Sequence, residues 1–179
     1  RKDYPTVDGL RASEVLLDNV RVPASALVGA EGAASQILNT VINRGILAIS
    51  AEAVGAMAVL YQSTIDYTKQ RVQFDHPLSE FQVVKHRLTE MFIEYNLAKS
   101  LCMKATMLLN QNSGDAQRHI HALKFLIGKT SRFVGQNAVQ LHGGMGMTED
   151  LAIAHYFKRL MMIDATFGHT DIHLDAFVQ

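Results

Sequence analysis

Proline is almost absent from this chain beyond residue 23. The three prolines are Pro5, Pro23 and Pro77, so only one position downstream of Pro23 forbids a continuous helix. Proline breaks helices because it lacks a backbone N–H and because its ring clashes with the preceding turn. A chain with so few breaks over most of its length is typical of an architecture of long helices.

Apolar residues take helical spacing from about residue 32 onward. The first predicted helix covers residues 32–69, where small and apolar side chains recur at steps of three or four. The second predicted helix has the most regular seam, with the 3.5-residue repeat of antiparallel helix bundles. Its members are Phe81, Val84, Leu88, Met91, Tyr95, Ala98, Cys102, Ala105 and Leu109. We expect Pro77 to stand at the start of this helix and the seam to lie in a core.

The segment 112–115 predicts the turn between the second and third helices. Gly114 suits a left-handed C-cap and Asp115 suits the next N-cap. The third helix is expected to run to Leu141 and to end in the glycine-rich segment 143–146.

Two more helices are predicted towards the C-terminus. Thr148 is expected to cap a fourth helix that ends near Thr166, and a short fifth helix follows Gly168. Four long helices with short connections predict an all-α, up-down four-helix bundle over residues 30–179.

Residues 1–29 have a different pattern. Val15 and Leu17, followed by Val20 and Val22, alternate with the period of an extended chain. Two short extended pieces cannot form an independent sheet. We therefore interpret this segment as a short β-like tail, the last strands of a sheet whose partners lie outside the chain.

Composition excludes several classes of function. Seventeen basic residues balance seventeen acidic residues, which argues against nucleic acid or an anionic membrane as a partner. Hydrophobic residues make up 48% of the chain and charged residues 19%, as in globular proteins. No apolar run approaches the roughly 18 to 20 residues of a membrane helix. The single cysteine, Cys102, fits a cytoplasmic location. The chain begins at Arg1 rather than Met, which suggests a fragment of a longer protein.

Eight histidines raise the question of a metal site. His119 and His121 are two residues apart on a predicted helix and therefore face different sides. His169 and His173 are four apart and can share a face, but the Glu-x-x-His pair of di-iron bundles is missing. We therefore predict no metal site.

Two local features have more than one interpretation. The segment 143–146 follows a predicted helix rather than a strand, so it is a helix end and tight turn rather than a dinucleotide fingerprint. Its backbone N–H groups are nevertheless open to a phosphate or carbonyl group. Arg71, where the first long helix breaks, suits either the helix dipole or bidentate pairing with a phosphate.

These features, in this order, resemble the C-terminal domain of acyl-CoA dehydrogenases. That family has an Arg-x-x-Phe-Gly break between two long helices, a glutamine downstream, and a Gln-x-x-Gly-Gly-x-Gly segment before the last helices. The corresponding residues here are Arg71-Val72-Gln73-Phe74-Asp75, Gln82, and Gln140-Leu141-His142-Gly143-Gly144-Met145-Gly146. Residues 17–23 resemble the family's exit from its middle β-domain, which assigns residues 1–29 to the end of that domain.

The resemblance implies FAD as the cofactor, an acyl-CoA thioester as the substrate, and α,β-dehydrogenation as the reaction. In that family the cofactor lies at a subunit interface, and the helix break and glycine turn reach the FAD of the neighbouring subunit. The positions carried over as cofactor-binding are Arg71, Phe74, Gln82, Gln140, Gly143 and Gly144. Asp75 stands where the family has glycine.

The resemblance also locates the catalytic base, and this chain lacks it. Most family members carry a glutamate after the fourth helix, where this chain has Gly168, and a minority carry it in the first helix, where this chain has Asn43. Neither residue type is a general base near neutral pH. The isolated 179-residue chain also lacks the walls that surround the flavin ring and the acyl chain in that family, and it is expected to be inactive for that reason.

Three explanations for the missing base remain open. The first is a displaced base, either from outside the chain or from one of four local residues, namely Glu52, Asp164, His169 and Asp171. The second is a base supplied by a second subunit, since the chain is similar to the small subunit of pimeloyl-CoA-type dehydrogenases. The third explanation is a non-enzymatic member of the family. We favour the heteromeric partner, then a displaced base, then the non-enzymatic member. Assembly as a homo-oligomeric dimer or tetramer and assembly as a heteromer with a second dehydrogenase subunit both remain open.

A helical-bundle interaction module unrelated to flavin is the alternative function. The two interpretations differ in where Arg71, Phe74, Gln140 and Gly143 lie. A dehydrogenase domain places them on one exposed surface near the end of the bundle. An interaction module scatters them and exposes a large apolar patch instead.

Overall fold

The computed structural model describes residues 1–179 and contains five α-helices and two short β-hairpins. The helices are α1 (Ala34–Gln70), α2 (Gln82–Asn110), α3 (Ala116–His142), α4 (Ala152–Ala165) and α5 (Thr170–Val178). Helix α3 packs against all four other helices, and α1 also packs against α2 and α4. The predicted four-helix bundle with a short fifth helix is therefore confirmed.

The seam predicted for α2 is the buried face of that helix. Val84, Met91, Ala98, Cys102 and Ala105 are all buried, and all but Val84 belong to the main core cluster. The residues between them on the outer face are exposed, because a repeat of 3.5 residues keeps one side of the helix against its neighbours.

The central helix α3 supplies the middle of this core. Ile120, Leu123, Ile127, Val134 and Ala138 are completely buried. Burial of such aliphatic side chains is the main favourable contribution to folding, about 1.5–3 kcal/mol for each large one.

Helix α1 is long and apolar enough to cross a membrane by length and composition alone. An 18-residue window in it has a mean hydropathy of 1.4. The expectation that no apolar run reaches this length is therefore wrong for α1. The core helix of a bundle meets the same criterion, and Ala53, Met57 and Leu60 of α1 are completely buried against its neighbours.

The predicted helix caps are wrong in detail. Asn112 (φ 49°), not Gly114, takes the left-handed conformation after α2, and Asp115 forms no side-chain cap on α3. Helix α4 begins at Ala152 with Leu151 at its N-cap, and the Thr148 hydroxyl donates instead to the carbonyl of Met145 (2.9 Å) in the preceding 3-10 turn.

The N-terminal strands also lie elsewhere than expected. Strand β1 (Lys2–Pro5) pairs antiparallel with β2 (Arg11–Glu14). The alternating residues 15–22 form no strand and are exposed, because the chain holds no partner strand for them. The assignment of residues 1–29 to the end of a β-domain stays a prediction.

A second hairpin separates α1 from α2. Strands β3 (Val72–Gln73) and β4 (His76–Pro77) are joined by Phe74 (φ 55°) and Asp75 (φ 65°). Positive φ at both central residues is the signature of a type I′ turn. Pro77 therefore ends a strand instead of starting α2, and a 3-10 turn at residues 78–80 intervenes.

Candidate functional site

A cavity of about 480 Å³ opens where α1 and α3 end. Its lining includes Arg71 from the end of α1 together with Gln140, Gly143 and Gly144 from the end of α3. Four of the six residues predicted to bind cofactor therefore meet in one place, although about 70 residues of chain separate Arg71 from the others.

The other two predicted residues do not line this cavity. Phe74 is 85% exposed at the tip of the second hairpin, with its ring edge-on to Phe81 at a centroid distance of 6.3 Å. Gln82 is the exposed first residue of α2. Asp75 adopts the left-handed conformation that a glycine would take, so the turn forms without the family's glycine.

Backbone contacts fix Arg71 and leave its side chain free. Its N–H donates to the carbonyl of Tyr67 (2.9 Å), and its own carbonyl accepts from the N–H of Leu78 (2.8 Å). The exposed guanidinium takes part in none of the ion pairs of the chain. An unpaired guanidinium beside a cavity is suited to bidentate binding of an oxyanion.

An aromatic contact holds the end of α3 against α1. The rings of Tyr67 and His142 stack with centroids 4.3 Å apart, and the Tyr67 hydroxyl donates to the His142 carbonyl (3.4 Å). The Nδ1–H of the buried His142 donates to the carbonyl of Ala138 (2.8 Å). The glycine turn therefore begins from a rigid point.

The three glycines of the turn differ in why the position requires glycine. Gly143 has φ +62°, and a Cβ on Gly146 would lie 2.7 Å from the carbonyl of Val139. Neither requirement for glycine applies at Gly144, since its φ is not positive and a Cβ there would meet nothing within 4 Å. The absence of a side chain at Gly144 instead leaves its backbone open to a group from outside the chain.

Of the two positions where a base was sought, Asn43 lies in α1 and Gly168 lies beside a contact between Phe167 and α1. Asn43 is partly buried in α1, and a Cβ on the neighbouring Gly45 would lie 2.8 Å from the ring of Phe167. Gly168 follows directly and has φ +103°. Asn43 is two residues before Gly45 and therefore faces a different side of α1, so this contact brings only Gly168 close to the Gly45 face of the helix.

Two of the four displaced-base candidates are already engaged. Arg159 binds both oxygens of Glu52 (2.6 and 2.8 Å), and these hydrogen bonds lower the pKa of Glu52. The buried carboxylate of Asp164 accepts from Arg132 (3.2 Å) and from the Thr170 hydroxyl (2.7 Å).

The other two candidates, His169 and Asp171, are exposed. They line a second cavity of about 440 Å³, formed mainly by α3 and the start of α5. Asp164 lies in the same lining.

A buried polar cluster between α3 and α5 was not predicted from the sequence. The completely buried Lys124 donates from Nζ to the carbonyls of Asp164 (2.7 Å) and Gly168 (2.8 Å). His173 Nε2 lies 3.0 Å from the Phe167 carbonyl, and a carbonyl only accepts, so Nε2 carries the hydrogen. The available signal was a lysine one turn after Ile120, on the apolar face of the helix.

The two histidines of this cluster have fixed tautomers. Because Nε2 of His173 is the donor, its Nδ1 accepts from the Nδ1–H of His121, 2.9 Å away. Burial is the main cause that lowers the pKa of both rings. The charge of Lys124 lowers the pKa of His173 further, while the Phe167 carbonyl and Asp164 act in the opposite direction. The cluster is therefore built for neutral imidazoles.

Acidification below the ordinary histidine pKa of 6.5 is expected to destabilise the fold. Between the lowered pKa and that value the unfolded chain binds more protons than the folded chain, so stability falls as pH falls. Urea unfolding between pH 7 and pH 5 measures the effect. His121→Asn retains a donor without titrating and is expected to reduce the loss. His86→Asn, on the exposed face of α2, is expected to leave it unchanged, and an equal effect of both variants would contradict the assignment.

Known proteins resemble this chain over most of its length. A family model described as acyl-CoA dehydrogenase, C-terminal domain, matches residues 24–179. The chain is 29% identical to the probable acyl-CoA dehydrogenase YngJ of Bacillus subtilis, over 95% of this chain and 44% of YngJ.

Solved structures have the same helical arrangement. Butyryl-CoA dehydrogenase from Megasphaera elsdenii superposes with a TM-score of 0.85 at 25% identity, over 91% of this chain and 42% of that chain. A structure of PigA with FAD and proline superposes with a TM-score of 0.93 at 25% identity, over 99% of this chain and 47% of that chain. In each case the chain spans less than half the length of its relative.

Proposed function

Since the chain belongs to the acyl-CoA dehydrogenase family, as that family's C-terminal domain, we propose that it forms the helical part of an FAD-dependent enzyme that oxidises acyl-CoA thioesters. The reaction of the full-length protein is α,β-dehydrogenation, in which a base removes the α-proton while a hydride leaves Cβ. FAD, when bound, supplies the acceptor for that hydride. The chain contributes part of the cofactor site and a surface for oligomerisation.

The observation that carries this proposal is the cavity shared by Arg71, Gln140, Gly143 and Gly144. A diphosphate requires positive charge, which the unpaired Arg71 offers, and close backbone approach, which Gly144 permits. The amide of Gln140 adds a donor for a ribose or phosphate oxygen. The relative PigA, whose structure contains FAD, supports the choice of cofactor.

Phe74 and Gln82 extend the proposed site beyond the cavity. The type I′ turn presents the Phe74 ring to solvent, where it is free to pack on a flat group held by a second subunit. This arrangement fits a cofactor shared across a subunit interface better than one enclosed in a single chain.

The base is proposed to come from a second, dehydrogenase-like subunit. Asn43 and Gly168 offer no carboxylate, and Glu52 and Asp164 are held by arginines. The exposed His169 and Asp171 remain the local alternatives. The proposed assembly is therefore a heteromer. This chain contributes surfaces that bind the cofactor and the substrate, and its partner supplies the base that removes the proton.

Replacing Arg71 by methionine in the full-length protein is expected to weaken FAD binding about tenfold or more, because a charge-assisted hydrogen bond to a phosphate is lost. Flavin absorbance per mole of protein after gel filtration measures the retained cofactor. Lys69→Met is the matched control, since Lys69 is exposed in the last turn of the same helix and does not line the cavity. Equal flavin content in both variants and the wild type would count against the proposed cofactor site.

A further inference from the structure

The turn between α4 and α5, residues 166–169, is held by two side chains from neighbouring helices. Lys124 of α3 donates to the Asp164 and Gly168 carbonyls, and His173 of α5 donates to the Phe167 carbonyl between them. We call Lys124 and His173 the carbonyl clamp. Three carbonyls within five residues are thus bound by side chains rather than by helix or sheet partners.

The clamp requires burial of the charged Lys124 ammonium, which is energetically unfavourable. Lys124 is completely buried, and its ammonium contacts neutral carbonyls, while the nearby Asp164 carboxylate is bound by Arg132 and Thr170. Burial lowers the pKa of the Lys124 ammonium, although the charge of Asp164 opposes this. A methionine would fill the same space without desolvating a charge. The contacts of the head group are therefore what distinguishes lysine here.

Two consecutive residues of the clamped turn have positive φ, a conformation that needs support from the surrounding structure. Phe167 has φ +60° and Gly168 has φ +103°. A phenylalanine in the left-handed region is strained and persists only where its surroundings impose the conformation. The clamp binds the carbonyls of these same two residues, so it is the contact that imposes the conformation.

The held turn sets one side chain against α1. The ring of Phe167 lies over Gly45 so closely that a Cβ at Gly45 would be 2.8 and 2.9 Å from two of its atoms. Gly45 is two residues from Asn43, and Phe167 directly precedes Gly168. The ring therefore lies directly beside Gly168, one of the two positions where family members carry the catalytic base, and against the face of α1 that contains Gly45.

We propose that Lys124 is a positioning residue, which with His173 holds Phe167 on Gly45 and so shapes the wall of the acyl site. This inference rests on the proposed function for the identity of the ligand. The position of the turn itself rests only on the contacts above. Lys124 is completely buried and binds only backbone carbonyls, so it is assigned a role through the turn rather than by contact with a ligand.

Hydrogen exchange on the full-length, FAD-loaded protein tests the clamp. In Lys124→Met the hydrogen-bonded amides at the two ends of the turn, those of Thr166, Ile172 and His173, are expected to exchange about tenfold faster or more, while the cores of α1 to α3 keep their protection. Lys129→Met is the matched control, because Lys129 is exposed on the same helix. Unchanged exchange in the turn, or equal acceleration throughout the bundle, would overturn the positioning role.

A second variant tests the wall and leaves the clamp intact. Gly45→Ala forces the Phe167 ring away from α1, whereas Gly55→Ala on the same helix meets nothing within 4 Å. Gly45→Ala is expected to weaken acyl-CoA binding about tenfold, read from the flavin spectrum, at unchanged flavin content. Binding equal to that of Gly55→Ala would overturn the wall. If acyl-CoA leaves the flavin spectrum of the wild type unchanged, the proposed function is overturned. The hydrogen-exchange measurement still tests whether Lys124 holds the turn.

Discussion

Replacing Asn43 by glutamate is expected to let the full-length subunit reduce its flavin with acyl-CoA in the absence of any partner. Asn43 lies within α1, whose backbone accepts glutamate without strain, and it is only partly buried. A positioned general base contributes about 10²–10⁴-fold to a rate, so the variant is expected to bleach at least about a hundredfold faster than the wild type. Asn43→Gln controls for size without adding a base.

Glutamate at the other base position is expected to fail. Gly168 has φ +103°, which L-residues rarely adopt, and a Cβ there would lie 3.2 Å from Nε2 of His173. Gly168→Glu must therefore disturb the carbonyl clamp before its carboxylate can reach a substrate. The turn is built for glycine, so the two substitutions separate a position that tolerates a base from one that excludes it.

Stopped-flow bleaching of the flavin by a panel of acyl-CoA esters compares the variants. Bleaching of the wild type only when the second subunit is present supports a base supplied in trans. Bleaching by the wild-type subunit alone would show a displaced base within that subunit, either His169, Asp171 or a residue outside this chain. Equal rates for Asn43→Glu and Gly168→Glu would contradict the steric argument at Gly168.

The sequence was most informative where one helix decides the outcome. The α2 seam is readable because Met91, Ala98 and Ala105 repeat with a period that only one buried face satisfies. Helix ends were poorly predicted, because the left-handed residue after α2 was assigned to Gly114 and is Asn112. Several neighbouring residues can end a helix, and packing against the rest of the fold determines which of them does so.

The candidate site divides in the same way. Arg71, Gln140, Gly143 and Gly144 were found because each belongs to a local motif whose order along the chain resembles a family pattern. The carbonyl clamp was missed because the two contacts of Lys124 span 40 and 44 residues of chain, and no local spacing reports them. A lysine on an apolar helix face gave the only hint.

Loss of Arg159 is expected to release the N-terminal hairpin from the bundle. Arg159 of α4 donates to Asp8 in the β1–β2 turn (2.8 Å) and to both oxygens of Glu52 in α1. The Asp8 side chain is only 1% exposed. Burial alone would raise the pKa of Asp8, but hydrogen bonds from Thr6 and Arg159 outweigh it and lower that pKa.

Arg159→Met is expected to lower the free energy of unfolding by about 2 kcal/mol, since it leaves the Asp8 carboxylate buried without its cation. The value is below the roughly 3–5 kcal/mol of a fully buried pair because Glu52, 46% exposed, recovers contact with water. Urea unfolding measures the loss, and hydrogen exchange is expected to show it first in residues 1–14. Lys158→Met, next in sequence, breaks only an ion pair with the exposed Glu149 and is expected to leave the midpoint unchanged.

A double variant separates lost charge from lost packing. Asp8→Asn added to Arg159→Met removes the uncompensated carboxylate, so part of the lost stability is expected to return. Because Arg159 lowers the pKa of Glu52, its contribution is present above the ordinary glutamate pKa of 4.5 and fades as pH falls through the lowered value. The difference between wild type and Arg159→Met should therefore shrink in acid. A difference independent of pH, with no recovery in the double variant, would mean that Arg159 stabilises the hairpin through its aliphatic stem.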